Sequence, residues 1–196
     1  IGDSEGEIHG IEQGSAVKGF SSRTAWTIRT HGPVTASPAA VRGANIVYVA
    51  CEDTILYRIN VIQGSVYWRY HSGLKLTAKP ILVSDRETQR TCVFLGTREG
   101  KTVVVRDEDK DGAVEAWHAP ADARDPSRWP ELTDMLFVGG AQYDANLLEK
   151  ERTLAYLVHA DGSVSARTVG PGRELWRFSV PNLAAAAANT EGALVY

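Results

Sequence analysis

Residues 50–80 read ACEDTILYRINVIQGSVYWRYHSGLKLTAKP. An alternating pattern over 54–60 predicts a strand, Gly64 marks a turn, and Trp68 opens a second strand four residues after that glycine. The Thr-Ala-Lys-Pro sequence at 77–80 then leads into a third strand. Short strands that are separated by glycine-bearing turns are typical of an antiparallel meander.

This unit recurs along the chain, so the sequence is interpreted as a repeat. Tryptophans at intervals of 42, 49 and 59 residues occupy equivalent places: Trp26, Trp68, Trp117 and Trp176. Three of them follow a glycine by four or five residues: Gly64, Gly112 and Gly172. A four-strand unit of about 40 to 50 residues predicts a β-propeller blade, in which each indole packs on the neighbouring blade. Unrelated core tryptophans are the alternative, but they would not explain the recurring spacings.

The predicted fold is all-β, a β-propeller of four-stranded antiparallel blades with about four blades in this chain. We expect a single propeller domain or partial propeller over residues 1–196. Its parts are a split blade made of 1–32 and 181–196, blades at about 33–73, 74–118 and 134–180, and an insert at 119–133. A closed four-bladed ring and a section of a larger ring both satisfy this order. The section is preferred, because the chain ends inside an apolar strand and an open edge needs a partner.

Composition restricts the function classes. The chain has 196 residues, of which 43% are hydrophobic and 23% charged, and these are enough for a proper core. Its net charge of −3 gives no electrostatic case for nucleic acid. No run of 18 apolar residues is present, so no transmembrane segment is predicted. The two cysteines, Cys51 and Cys92, lack a metal-binding spacing, and buried thiols are preferred over a disulfide between blades.

The strongest local constellation for chemistry is an acidic turn with the spacing D-x-D-x-D-G-x-x-E. Its acidic members are Asp107, Asp109, Asp111 and Glu115. Alternate carboxylates in a tight turn can converge on Ca²⁺, which takes six to eight oxygen ligands. Calcium is therefore a possible cofactor. The other interpretation is a solvated acidic hairpin, in the place where other units carry a Gly-bearing turn.

Trp129 is the tryptophan that lies outside the repeat. It belongs to the irregular segment 119–134, where Asp125 before Pro126 predicts a short helical turn that ends before Pro130. One interpretation of Trp129 is a plug over a blade edge. The other is an anchor for a protein partner, because tryptophan is enriched in interface hot spots.

No catalytic arrangement stands out among the remaining residues. The five histidines fall at unrelated positions and form no zinc-type pair: His9, His31, His71, His118 and His159. There is no G-x-S-x-G nucleophile elbow, and the glycines at 170–172 lie in a turn with no helix behind it. We therefore expect satisfied or solvated histidines and no catalytic residue.

Two segments resemble the quinoprotein-type, or PQQ-like, β-propeller repeat. They are EDTILYRINVIQGSVYWRY at 52–70 and HADGSVSARTVGPGRELWRF at 159–178. The segment GDSEGEIHGIEQG at 2–14 is similar to a blade of the non-catalytic propeller lipoproteins that serve the bacterial outer-membrane barrel assembly machine. The resemblance implies a propeller of seven or eight blades, and an extracytoplasmic location, whether periplasmic, secreted or luminal. It is more specific for fold than for function.

Two functions remain open from the sequence. The first is a non-enzymatic propeller scaffold without a cofactor that binds protein partners within a larger assembly. The second is a section of a dehydrogenase that uses pyrroloquinoline quinone and Ca²⁺. The second requires acids, a cation and a stacking tryptophan on the inner strands, whereas those strands carry mostly Val, Ala, Leu and Thr. The scaffold is therefore preferred and bound PQQ is disfavoured.

Overall fold

β-Strands make up most of the structure, a computed structural model. It describes residues 1–14, 21–84, 90–97, 101–119, 132–138, 154–159, 162–169, 172–179, 187–188 and 194–195. The first eight strands are β1 Glu7–Gln13, β2 Ser22–Arg29, β3 Ala39–Ala40, β4 Ile46–Ala50, β5 Ile55–Asn60, β6 Val66–His71, β7 Ile81–Ser84 and β8 Thr91–Gly96. The rest are β9 Thr102–Asp107, β10 Ala113–Ala119, β11 Leu132–Val138, β12 Leu154–His159, β13 Ser163–Thr168, β14 Glu174–Ser179, β15 Ala187–Ala188 and β16 Leu194–Val195. A short 3-10 helix, Asp109–Asp111, separates β9 from β10.

The strands form sheets in chain order. Three sheets have four strands, namely sheet II (β3 to β6), sheet III (β7 to β10) and sheet IV (β11 to β14). Two further sheets have two strands each, sheet I (β1 and β2) and sheet V (β15 and β16). Neighbouring strands in sheets I, II, IV and V are antiparallel. The predicted all-β class with four-stranded antiparallel units is confirmed.

A shared irregularity supports the repeat at the level of hydrogen bonding. In sheets I, II and IV, the residue opposite the tryptophan is followed at once by a β-bulge. These sites are Gly10/Ile11 opposite Trp26, Arg58/Ile59 opposite Trp68, and Ala166/Arg167 opposite Trp176. A bulge increases the local twist and bends the strand. The pairs β1–β2, β5–β6 and β13–β14 therefore share a distortion at the same place relative to the tryptophan.

The burial of these strands follows their place in the sheet. β5 and β13 are buried along nearly their whole length, as expected of a strand with a neighbour on each side and packing on both faces. The last strand of sheet II, β6, instead alternates between buried and exposed positions. Residues buried around sheets I and II form one core cluster: Ile8, Val34, Val49, Cys51, Ile55, Tyr57 and Ile59. Neither Cys51 nor Cys92 forms a disulfide, and both are buried.

The chain divides into two compact units. Unit 1 consists of Ile1–Leu82, Val93–Gly96 and Asp107–Val114, and unit 2 consists of Val83–Cys92, Thr97–Arg106 and Glu115–Tyr196. In the described part of the chain, no helix has the length and apolar character that a bilayer crossing requires. The predicted assignment of residues to blades stays a prediction.

One strand differs from the sequence-based expectation. The sequence predicts a strand at 136–142 after an insert at 119–133, whereas β11 runs over Leu132–Val138 and so begins inside that insert. Pro130 was expected to end the short helical turn ahead of it. The predicted helical turn at Asp125 and Pro126 lies outside the described residues.

Candidate functional site

Trp26 of β2 packs on the turn of the next sheet. A Cβ added to Gly64 would lie 2.4 Å from Cγ of Trp26, so the glycine is in direct contact with the indole. The indole Nε1 donates a hydrogen bond to the carbonyl oxygen of Val61 at 2.9 Å. Gly64 also has a φ of +68°, a conformation that other residues rarely adopt. The sequence prediction that the repeated tryptophans contact the neighbouring blade holds here.

The same arrangement recurs between sheets III and IV. Trp117 lies over Gly172, whose added Cβ would be 2.4 Å from Cγ of the indole, and its Nε1 donates to the carbonyl oxygen of Val169 at 2.7 Å. Gly172 has a φ of +69°. In both cases a valine stands three residues before the glycine. We call this contact, an indole on a Val-x-x-Gly turn, a tryptophan–glycine joint.

Trp68 makes a different contact. Its Nε1 donates to Oδ1 of Asp107 at 3.1 Å, where a joint would offer a backbone carbonyl. The turn after Asp107 has five residues, as the two Val-x-x-Gly turns have, but it contains a 3-10 helix and its glycine, Gly112, stands one place later in the turn. A buried carboxylate therefore replaces the backbone acceptor between sheets II and III.

Asp107 is the centre of a buried polar network. Nε of Arg58 lies 2.9 Å from Oδ2 of Asp107, and each of the two residues is 6% exposed. The hydroxyl of Tyr48 donates to the same Oδ2, and the backbone N–H of Asp109 donates to Oδ1 at 2.8 Å. Both oxygens of the carboxylate thus have partners, as a buried charge requires.

The protonation states follow from this environment. Burial, together with the hydrogen bond to Asp107, raises the pKa of Tyr48 far above its usual value, so the phenol stays neutral and donates. Burial is the largest single influence and would lower the pKa of Arg58, but the attraction of Asp107, the hydrogen bond to Asp109 and the contact with Tyr48 together outweigh it, so the net pKa of Arg58 is raised. Arg58 therefore stays protonated, and we assign its buried pair with Asp107 a structural role.

The acids of the predicted calcium turn are largely committed to other partners. Asp107 is held by Arg58, and Oδ1 of Asp109 accepts from Nη2 of Arg58 at 2.8 Å. Asp111 is exposed, and Glu115 lies 2.7 Å from Nδ1 of His118. A calcium ion could use Asp107 only by breaking the buried pair. This geometry does not favour the ion, and the calcium assignment stays a prediction.

Calcium at about 1 mM is expected to leave the melting temperature within about 1 °C of its value in chelator, because an ion stabilises a protein only by binding its folded state. Thermal unfolding followed by circular dichroism, with magnesium as the control cation, measures this. A rise of several degrees that is reversed by chelator and is absent from the variants Asp109→Ala and Asp111→Ala would restore the calcium assignment.

A second group of potential metal ligands lies in sheet I. Among the described residues, the three side chains whose ligand atoms lie within 4.8 Å of one another are Asp3, Glu7 and His9. Nε2 of His9 is 3.1 Å from Oδ2 of Asp3, and the backbone N–H groups of Glu5 and Glu7 donate to Oδ1 of Asp3. The hydrogen bond from Glu7, followed by that with His9, lowers the pKa of Asp3. These contacts account for the cluster as the cap of a tight turn.

Outside the network lies a cleft of about 400 Å³, which we call the Tyr67 cleft. Its lining residues are Ile46, Arg58, Tyr67, Asp109 and Lys110. The guanidinium carbon of Arg58 stands 4.7 Å from the centre of the Tyr67 ring, a cation–π distance. Nδ2 of Asn60 donates to the Tyr67 hydroxyl at 2.7 Å, which fixes a side chain that is 49% exposed.

Sequence reasoning did not identify the Tyr67 cleft or the buried network. One signal was available for the network, because Arg58 stands between apolar residues of a strand that the pattern predicts as buried, and a buried guanidinium needs a carboxylate. The sequence does not indicate, however, which carboxylate pairs with Arg58. Trp129, the predicted partner anchor, lies outside the described residues.

Comparison with known proteins by sequence finds no matching family model. No curated protein matches the chain either. The PQQ-like type of repeat therefore stays a prediction.

Comparison by structure finds propellers. The chain is similar to BamB from Moraxella catarrhalis, with 13% identity, a TM-score of 0.56, and coverage of 97% of this chain and 47% of that one. It is similar to Sqt1 from Saccharomyces cerevisiae, with 12% identity, a TM-score of 0.66, and coverage of 91% and 46%. The β-propeller domain of Cps50 (Swd1) from Myceliophteria thermophila matches with 10% identity, a TM-score of 0.57, and coverage of 86% and 49%. The chain thus spans about half the length of these proteins, and its fold is that of a partial β-propeller.

Proposed function

We propose that this chain is a non-enzymatic β-propeller scaffold that binds a protein partner within a larger assembly, through the Tyr67 cleft. The observation that carries the proposal is a half-exposed tyrosine, Tyr67, whose ring and hydroxyl are held in place by Arg58 and Asn60. Tyrosine is enriched in interface hot spots, and a fixed side chain loses little entropy when it binds. Asp109 and Lys110 add charges of both signs at the rim of the cleft.

Apolar surface in the turn that precedes the strand of Tyr67 supports a protein ligand. Ile62 is 66% exposed and Val61 is 39% exposed, both in the turn that leads to the strand of Tyr67. An apolar patch with an aromatic anchor and a charged rim has the composition of a protein interface. A role for Trp129 in binding the same partner remains part of the proposal, on the strength of the sequence alone.

The absence of enzymatic activity is also part of the proposal. Its support is that Tyr48 and Arg58, whose pKa values are both raised, contact the buried Asp107 carboxylate and keep their protons near neutral pH. The location outside the cytoplasm is proposed on the repeat resemblance alone. The dehydrogenase alternative predicts dye reduction with an alcohol substrate once PQQ and calcium are added, whereas the scaffold predicts none.

A photo-crosslinking amino acid at position 67 tests the partner site. In host cells, we expect position 67 to crosslink one defined protein, and a crosslinker at Ile11, which is 51% exposed on β1, to leave that protein unlabelled. In pull-downs with the identified partner, Tyr67→Ala is expected to weaken binding about tenfold or more, because loss of a hot-spot ring costs at least about 1.4 kcal/mol. Equal labelling from both positions, or unchanged binding by Tyr67→Ala, would contradict the proposal.

A further inference from the structure

Three side chains at sheet I direct possible metal ligands at one another. Nε2 of His9 lies 3.1 Å from Oδ2 of Asp3 and 3.7 Å from Oε2 of Glu7. Zinc bonds of about 2.0 to 2.1 Å at tetrahedral angles place two ligand atoms about 3.3 Å apart. The two measured distances lie on either side of that value. One ion can therefore contact all three side chains after small rotations of the two carboxylates.

The other polar atom of each of these side chains is held by a separate partner. Nδ1 of His9 forms a hydrogen bond of 3.2 Å with Oγ1 of Thr27. Nε of Arg29 donates to Oε1 of Glu7 at 2.8 Å, and Oδ1 of Asp3 accepts from backbone N–H groups of its turn. Metal ligands in proteins are typically oriented in this way, through the atom that does not contact the ion. The three inward atoms are thus fixed by contacts that an ion would leave intact.

The ligand types favour an ion such as zinc over calcium. One imidazole nitrogen and two carboxylate oxygens suit Zn²⁺, which often has three protein ligands and a water, whereas Ca²⁺ takes six to eight oxygen ligands. The three side chains are between 26% and 34% exposed, so an ion can reach them and a water can fill the fourth position. The contacts that lower the pKa of Asp3 also keep its carboxylate deprotonated at neutral pH, as a metal ligand must be.

We propose that Asp3, Glu7 and His9 form a binding site for one divalent transition-metal ion of the Zn²⁺ type. The ion takes the place between the imidazole and the two carboxylates, whose negative charges balance its own. Because Asp3 lies in the turn before β1 and the other two ligands lie on β1, the ion ties this turn to the strand. This inference goes beyond the proposed scaffold function and does not depend on the Tyr67 cleft.

Calorimetric titration of the metal-free chain with zinc chloride tests the site, and native mass spectrometry counts the ions. We expect one zinc ion per chain, bound with micromolar affinity. His9→Ala is expected to weaken binding more than about 100-fold and Thr27→Val about tenfold, because even the partners that orient metal ligands contribute about 10- to 100-fold. His118→Ala is the matched control. His118 also lies 2.7 Å from a carboxylate, that of Glu115, but no third ligand among the described residues joins them, so zinc binding should be unchanged.

Asp3→Asn separates the metal site from the cap of the turn. The amide oxygen of the variant can still accept from the backbone N–H groups, but an NH₂ group, which has no lone pair to offer, replaces Oδ2. We expect the variant to keep its circular dichroism spectrum and to lose zinc affinity, and it serves if His9→Ala does not fold. Two results would overturn the proposal. One is a wild-type chain that binds no zinc at millimolar concentration, and the other is zinc binding that survives His9→Ala and Asp3→Asn unchanged.

Discussion

Replacing Asp107 with alanine is expected to lower the free energy of unfolding by about 3 to 5 kcal/mol, because it leaves a buried guanidinium without its carboxylate. Arg58 is 6% exposed, and its remaining partner, Asp109, has a side chain that is 58% exposed and can follow it only in part. The indole N–H of Trp68 and the hydroxyl of Tyr48 would lose their acceptor in the same step. Urea denaturation followed by tryptophan fluorescence measures the change.

Two further variants separate charge from packing in this prediction. Asp111→Ala removes an exposed acid of the same turn and should change stability by less than about 0.5 kcal/mol, as surface substitutions do. The double variant Arg58→Met with Asp107→Leu removes both charges, and it should recover much of the loss, since apolar residues often replace buried ion pairs at little cost. A cost below about 1 kcal/mol for Asp107→Ala would mean that water or another acid satisfies Arg58, contrary to the network described above.

The second large effect is expected for Gly64→Ala. The new methyl group would stand 2.4 Å from Cγ of Trp26, so the indole must move and give up its hydrogen bond to Val61. Overpacking of this kind typically costs about 1 to 3 kcal/mol. The positive φ adds about 1 to 2 kcal/mol for any residue with a Cβ. We expect the free energy of unfolding, measured by urea denaturation, to fall by the sum of these two costs, and the tryptophan emission to shift.

Gly73→Ala is the matched control for Gly64→Ala. Gly73 has a φ of +70°, close to the +68° of Gly64, but nothing lies within 4 Å of its added Cβ. The control variant therefore carries the backbone cost alone, and the difference between the two variants measures the packing of the tryptophan–glycine joint. Equal losses of stability would show that the contact between Gly64 and Trp26 contributes nothing.

The sequence predicts the parts of the fold whose causes are local. β5 runs over Ile55–Asn60, almost as the alternating pattern predicts, because strand alternation and the glycine turn are encoded in adjacent residues. The repeated tryptophans are likewise encoded locally, by their spacing from a nearby glycine. What the repeat spacing could not tell is that Gly64 serves the tryptophan of the preceding unit, Trp26, since spacing along a chain does not say which sheet faces which.

The candidate sites depend on contacts that no local pattern encodes. Asp107 and Tyr48 are 59 residues apart, and the acidic spacing around Asp107 does not reveal the ion pair with Arg58, which comes from another sheet. The calcium interpretation was made from the acids alone, and it stays a prediction. The strand that was predicted to begin at residue 136 begins four residues earlier, at Leu132.

The network around Asp107 also bears on how a chain of similar blades avoids assembling in the wrong order. Repeat proteins can misassemble when one unit docks on the wrong neighbour. Trp26 and Trp117 both fit a Val-x-x-Gly turn, so their contacts are interchangeable in chemistry. The contact made by sheet II is not interchangeable with these two. If sheet II packed on a Val-x-x-Gly turn, the guanidinium of Arg58 would be buried without a counter-charge. The contact between sheets II and III therefore requires the carboxylate of the acidic turn, and we expect this requirement to favour the correct order of the sheets around it.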